Sequence, residues 1–212
     1  MDGSDRGTLF VISAPSGTGK STLARRLLES VPGLVFSVSY TTRPRRAGEQ
    51  GGREYQFVDD AVFDAMVAAG GFLEWARVFD HKYGTGLAAT EAVLAQGADM
   101  LLDIDVSGAE QVRAKGLDAV SIFILPPDHA SLTERLTRRG SEDPAALALR
   151  LREARREALE YDRFDYVVVN AELEVAIAEL SAIVRAESAR TARRRDRVKQ
   201  ILSTFPAPGM GA

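Results

Sequence analysis

Residues 14–21 read Ala14-Pro15-Ser16-Gly17-Thr18-Gly19-Lys20-Ser21, and the architecture follows from them. They fit the pattern G-x-x-x-x-G-K-[ST], with Ala14 where the first glycine would stand. Before them, Thr8-Leu9-Phe10-Val11-Ile12-Ser13 is an apolar, β-branched run that predicts a buried strand; after them, Leu23, Leu27 and Leu28 fall at helical spacing. A strand, a tight glycine turn and a helix start form a concavity of inward-pointing N–H groups over the positive end of a helix. That concavity suits a polyanion. Lys20 would reach the β- and γ-phosphates of a nucleoside triphosphate, and the Ser21 hydroxyl would ligate Mg²⁺. The alternative, an incidental Lys-Ser after a glycine-rich turn, leaves the flanking strand and helix unexplained.

Outward from this point, apolar runs and helical patterns alternate. Leu34 to Tyr40 and Asp99 to Asp105 predict strands, as do Ala119–Leu125 and Tyr166–Val169. Helices are expected at Glu110 to Ala114, from Asp128 through Leu136, from Pro144 to about Tyr161, and, as one helix or more, over Leu173 to Leu202. Such alternation makes a parallel sheet with helices on both faces. Residues 34–86 differ: short strands at 54–58 and 72–79, a helix capped by Asp59 or Asp60 with Phe63, Met66 and Val67 on its apolar face, and a loop from His81 to Gly86. They read as an insertion. Thr137 to Asp143, polar and basic around Gly140, reads as a mobile loop.

The chain has 212 residues, enough for one α/β domain with inserted subdomains. It has no cysteine, which excludes disulfides, zinc–thiolate sites and thiol nucleophiles. A net charge of −3 supplies no general attraction to nucleic acid or membranes. No stretch approaches the roughly 20 apolar residues of a membrane span. Met1 to Gly7 is polar and acidic, so a cytoplasmic location is expected.

Three sets of charged residues bear on chemistry. Asp103 and Asp105 lie two apart on an expected strand, so both would leave the same face, where such folds hold Mg²⁺. Arg43, Arg45 and Arg46, near the hydroxyls of Thr41, Thr42 and Tyr55, suit a second phosphate, which points to a phosphate acceptor other than water. Arg135, Arg138, Arg139, Arg150 and Arg152 straddle the polar loop; Arg139 and Arg150 are the candidates to meet phosphates on closure, the others surface ion-pair partners. The basic stretch from Arg185 to Lys199 reads as a solvated helix face, with a nucleic-acid patch as the alternative. His81 and His129 have no metal partners at useful spacing.

Taken in order, S-A-P-S-G-T-G-K-S-T, F-S-V-S-Y-T-T-R, G-G-R-E-Y-Q-F-V, F-L-E-W-A, K-Y-G-T, L-L-D-I-D-V-S-G, F-I-L-P-P and Y-V-V-V-N resemble the guanylate kinase family over almost the whole chain. The resemblance implies an α/β fold: a P-loop kinase core with a parallel sheet flanked by helices, an inserted small mixed α+β GMP-binding subdomain and a mobile lid. Within a single domain over 1–212, the core would comprise 7–33, 97–136 and 162–204, the GMP-binding subdomain 34–86 and the lid 137–150. It further implies Mg²⁺-dependent transfer from ATP to GMP, with neither nucleic acid nor membrane as partner and the protein a monomer or homo-oligomer. Arg43, Arg46, Tyr55 and Tyr83 would hold the GMP phosphate, while Ser39, Glu74, Thr85 and Asp105 would read guanine. Asp103 would lie near Mg²⁺, joined to it through water, and Asn170 near adenine. Two positions depart from the family's usual pattern: the proline in Arg43-Pro44-Arg45-Arg46 is shifted by one place, and Ser107 stands where glutamine is common. The rival implications are a same-fold kinase of a phosphorylated sugar and a non-catalytic module that binds phosphorylated partners.

Overall fold

Every residue of the strand before the glycine turn is buried, because helices cover both faces of the sheet it belongs to. The computed structural model describes residues 6–53, 55–138 and 143–206. In chain order the elements are β1 (Leu9–Ser13), α1 (Lys20–Ser30), β2 (Leu34–Phe36), β3 (Tyr40–Thr41), β4 (Gln56–Phe57), α2 (Asp60–Ala68), β5 (Phe72–Val78), β6 (His81–Gly86) and α3 (Leu87–Ala95). There follow β7 (Asp99–Asp103), α4 (Val106–Ala114), β8 (Ala119–Leu125), α5 (His129–Arg138), α6 (Pro144–Ala158), β9 (Tyr166–Val169), α7 (Leu173–Ser188) and α8 (Arg195–Leu202).

A five-stranded parallel sheet runs in the order β2-β7-β1-β8-β9. Alternate residues of β1 enter opposite cores, as the period of two requires. Phe10 and Ile12 join Leu23, Leu27, Leu180 and Val184 under α1 and α7, while Leu9 and Val11 join Leu94, Leu102 and Val112 under α3 and α4. A second, four-stranded sheet of order β4-β3-β6-β5 is mixed: β3 and β4 pair parallel, and β6 pairs antiparallel with both β3 and β5. Phe63 of α2 covers it, stacked on Phe72 with ring centroids 4.5 Å apart.

Several expectations are corrected. The strand expected over 34–40 divides between the sheets: β2 ends at Phe36, the Ser37 N–H still donates to Leu101 O at 3.0 Å, and Tyr40 already pairs with Gly84 in the second sheet. Within the stretch expected as a strand at 54–58, Gln56 and Phe57 form β4 and Tyr55 is bridged to Gly51, while residue 54 lies outside the described residues. The loop expected from His81 to Gly86 is instead the inner strand β6. Its glycines disguise it: a Cβ at Gly84 would lie 2.9 Å from Phe72 Cδ1 and Trp75 Cβ, and one at Gly86 2.7 Å from the Tyr40 ring. Those positions are bare so that aromatic rings can pack on the strand.

The strand ending at Asp105 stops at Asp103, and the helix expected from Glu110 begins at Val106. The stretch expected to hold one helix or more at the end holds two, α7 and α8, around a short turn at Thr191–Arg193, and α6 gives way to a 3₁₀ turn at Leu159–Arg163. Thr137 and Arg138 close α5 rather than open a loop. Residues 139–142, the middle of the expected lid, lie outside the described residues. Pro144 opens α6 as expected, behind an Asp143 cap. Among the described residues, no helix is long and apolar enough to cross a membrane.

Candidate active site

The chain leaves β1 at Ser13 and re-enters regular structure as α1 at Lys20, and the turn between them closes on itself. The Thr18 hydroxyl donates to Pro15 O at 2.9 Å, and Gly17 and Gly19 take φ of 91° and 93°. Only glycine adopts these angles without strain. Ala14 is buried and lies outside the left-handed region, since Phe79 is the sole non-glycine residue there among those described. The missing first glycine therefore costs no backbone strain.

Lys20 folds over the cradle toward the end of β7. Its Nζ lies 2.6 Å from Asp103 Oδ1 and also donates to the Ile104 carbonyl. The parallel register puts Asp103 opposite Ile12, at the carboxyl end of the sheet beside the cradle. Ser21 lies in the first turn of α1 with its side chain exposed. Asp105 is not on the strand with Asp103. It caps α4, accepting from Gly108 N at 2.7 Å, so the two carboxylates do not leave one strand face as expected. Among the described residues no three acids or histidines gather as a metal cage. One carboxylate and one hydroxyl suit a Mg²⁺ that arrives on phosphates and keeps most of its waters.

The cradle is held from above by four distant side chains. Asn170, at the end of β9 and buried, donates to Thr18 O at 2.7 Å, and a Cβ on Gly19 would come within 2.8 Å of its amide. Arg135 of α5 donates to Thr18 O at 3.2 Å and to Asn170 O at 2.8 Å. With Gly17, Gly19, Thr22 and Arg138 these residues line a cleft of about 370 Å³. Arg150 of α6 reaches the Ser16 hydroxyl at 3.1 Å. From the same helix Glu157 accepts the Ser16 N–H at 3.3 Å, and burial pushes its carboxyl above the usual carboxylate range, with Asp105 and Glu153 adding to the effect. Leu132 and Leu136 of α5 pack with Ala154 of α6, which fixes that helix over the turn. Arg139 lies outside the described residues.

The second sheet supplies another polar surface. Arg43, Arg46, Tyr55 and Tyr83 do come together, with Glu49 and Val78, around a cleft of about 390 Å³. The Arg43 guanidinium sits 5.4 Å from the Tyr55 ring centre, and the rings of Tyr55 and Tyr83 are 5.8 Å apart. Glu49 clamps the cluster, accepting from Arg43 Nη2 at 2.7 Å and from the Arg46 N–H at 2.8 Å. The Arg43 bond holds its carboxyl below the ordinary range, with the Arg46 amide second.

Glu74 on β5 lies opposite Thr85 on β6, whose hydroxyl donates to Glu74 Oε1 at 2.6 Å. Glu74 is only 7% exposed, and burial raises its pKa more than the Thr85 bond lowers it, with Asp105 pushing the same way. A Cβ on Gly108 would stand 3.3 Å from both Glu74 Oε2 and Asp105 Oδ1, so these acids meet at the start of α4. Ser39 lies on the crossover between the sheets, its carbonyl accepting from Gln56 N at 2.9 Å.

Three residues that bear on the site escaped the sequence reading. Arg135, set aside there as a surface residue, engages the cradle. Glu157 shares a face of α6 with Arg150 and Ala154 at i, i+4 and i+7, a spacing available in the sequence. Glu49 lies in a glycine turn with no periodicity to mark it.

A family profile described as guanylate kinase matches residues 6–187. The guanylate kinase of Rhodopseudomonas palustris (strain ATCC BAA-98 / CGA009) is 50% identical over 189 residues, covering 89% of this chain and 86% of that protein. That of Symbiobacterium thermophilum is 49% identical over 193 residues, covering 91% and 92%. The crystal structure of guanylate kinase from Anaplasma phagocytophilum superposes with a TM-score of 0.70 at 35% identity, covering 95% of this chain and 97% of that one. A glycine cradle ending a core strand, a second sheet carrying clustered arginines and tyrosines, and half-identity across nine-tenths of the length agree with one another, and the chain belongs to the guanylate kinase family.

Proposed function

We propose that this chain moves the γ-phosphoryl group of ATP to GMP, giving ADP and GDP in one in-line step. A phosphate oxygen of GMP attacks the γ-phosphorus, the new O–P bond forms as the bond to the β,γ-bridging oxygen breaks, and ADP leaves with that electron pair. No side chain need act as a strong base, because the attacking oxygen is already anionic at neutral pH. The work of the protein is to hold two polyanions in line and cancel their charge.

The residues divide accordingly. Ala14 through Ser21 cradle the ATP phosphates, Lys20 bridges the β- and γ-groups, and Asn170 and Arg135 stiffen the turn beneath the adenine end. Ser21 and, through water, Asp103 would hold Mg²⁺, which supplies charge neutralisation on the phosphates. Arg43, Arg46, Tyr55 and Tyr83 take the GMP phosphate. Residues 34–86 then form the acceptor-binding subdomain and 137–150 the lid, from which Arg139 and Arg150 approach the transferred group. The family and the substrates' character favour a cytoplasmic enzyme.

The observation that carries the acceptor assignment is the buried Glu74–Thr85 pair. Guanine presents N1–H and N2–H₂ as adjacent donors, which one carboxylate accepts together, while its O6 accepts from a hydroxyl of Ser39 or Thr85. Adenine lacks the N1–H and would leave a desolvated carboxylate unpaired. Sites built on such bonds discriminate by as much as about 10⁴ to 10⁵. ADP formation measured with GMP, AMP, CMP and UMP as acceptors tests this. GMP should exceed the others by at least about a hundredfold in kcat/KM; equal turnover of a non-guanine acceptor refutes the assignment.

A further inference from the structure

The basic residues near the carboxyl end take no part in the chemistry above, and the break between α7 and α8 folds some of them back onto the sheet. Arg193 and Arg194 from the break and Arg197 from α8 join Arg6, which precedes β1, around a cavity of about 520 Å³. It opens at the starting ends of β1 and β7, whereas the phosphate cradle lies beyond their carboxyl ends. Its size is that of a small-molecule site.

The lining is one-sided in charge: four arginines against the single acid Asp99. Asp99 is already committed, accepting the Thr8 N–H at 2.7 Å and the Ser188 hydroxyl at 2.6 Å. Arg6 and Arg193 rest against Glu91 at 2.7 Å and Asp118 at 3.0 Å, acids that do not line the cavity. Arg194 donates to the Ser188 carbonyl at 3.3 Å, and among the described residues neither it nor Arg197 has an ion pair. Beneath them Thr8, 1% exposed, lines the cavity, and its Oγ1 finds no hydrogen-bond partner among the described residues. A buried hydroxyl without a partner is rare in native proteins, and converging guanidinium groups repel unless an anion joins them. Guanidinium forks match phosphate oxygens, and a solvent-open cavity of this size admits a compact anion of a few linked phosphates.

We propose that this cavity binds an oligophosphate, two or three linked phosphates either free or carried on a nucleoside, at a site separate from the cradle. The terminal phosphates would meet Arg194 and Arg197, and the Thr8 hydroxyl would donate to the innermost oxygen.

Inorganic tripolyphosphate titrated by calorimetry into Lys20→Ala protein tests this, because that variant weakens competition from the cradle. The same titration is made with Arg194→Ala and Arg197→Ala added, both exposed residues, with a thermal melt as the control that the fold is kept. The expected result is the loss of one binding equivalent, or an affinity about tenfold lower. Thr8→Val, which keeps the shape of the side chain, should weaken binding several-fold. Unchanged binding in the double-arginine background overturns the proposal, as does the absence of any binding to Lys20→Ala protein. Repeating the titration with ATP and GTP separates the sources: affinity equal to that of tripolyphosphate assigns the phosphate chain alone, and tighter binding assigns a nucleotide. Arginine-dependent binding of single-stranded RNA without tripolyphosphate binding also overturns it.

Discussion

Replacing Glu74 by glutamine should pull stability and acceptor use in opposite directions. Glu74 is 7% exposed, its carboxylate accepts from the hydroxyl and the backbone of Thr85 and faces Asp105, and Lys20 supplies compensating charge. Burial raises its pKa, so the folded chain holds this proton more tightly than the unfolded chain. Stability is therefore lost as pH rises from the unfolded value toward the folded one, and the ionised group remains a burden above both. Glu74→Gln removes that burden. We expect a gain of about 1 kcal/mol at pH 8, or about 2–4 °C in melting temperature for a domain of this size, vanishing below about pH 4.

In the acceptor reading, glutamine keeps one acceptor for guanine but sets an NH₂ donor against the second guanine donor. Losing a charge-assisted bond costs about 1.5–3 kcal/mol, and the opposed donors about 1 kcal/mol more. Together, at 1.36 kcal/mol per decade, kcat/KM for GMP should fall by about 10² to 10³. The KM for ATP should move by less than about twofold, since the cradle residues are untouched. Coupled ADP-release kinetics and thermal melts at both pH values measure the two effects. A loss below about tenfold for GMP, or an equal rise in the ATP KM, would refute the placement of Glu74 against the base.

Three further perturbations separate the parts of the site. Glu157→Gln removes a negative charge beside the Ser16 N–H, so the KM for ATP should fall about threefold; because burial raises the wild-type pKa, ATP affinity should improve as pH falls through it and become flat in the variant. Asn170→Ala deletes the buried donor to Thr18 O, and the KM for ATP should rise about tenfold with that for GMP unchanged, a split that steady-state kinetics reads directly. Gly84→Ala puts a Cβ 2.9 Å from Phe72 and Trp75 and 3.0 Å from Glu74 O, and should cost about 1–3 kcal/mol in a denaturant titration; an unperturbed midpoint would mean that the sheet gives way freely.

The phosphate cradle and the βα alternation were legible from residue order because their causes are local. Glycines at 17 and 19 permit the turn, the period of two buries β1, and Asp59, Asp128 and Pro144 mark helix starts within a few residues of the bonds they make. The strand β6 was misread because its glycines answer to aromatic rings on other strands, which no local pattern reports. Asp105 left the strand because capping α4 satisfied the Gly108 N–H.

The acids show most clearly what folding alone decided. Glu49 and Glu157 are two charges among 30 acidic side chains, and only the helical spacing of Glu157 from Arg150 and Ala154 sets either apart in the chain. One becomes a clamp on Arg43 and the other an acceptor for an amide 141 residues away. Arg135 and Arg197 likewise differ only in what surrounds them: one is drawn onto the cradle by two carbonyls, the other stands over a cavity at the far end of the sheet. A backbone conformation is chosen by a residue and its neighbours, but the energy of a charge is set by whatever packing brings within a few ångströms of it.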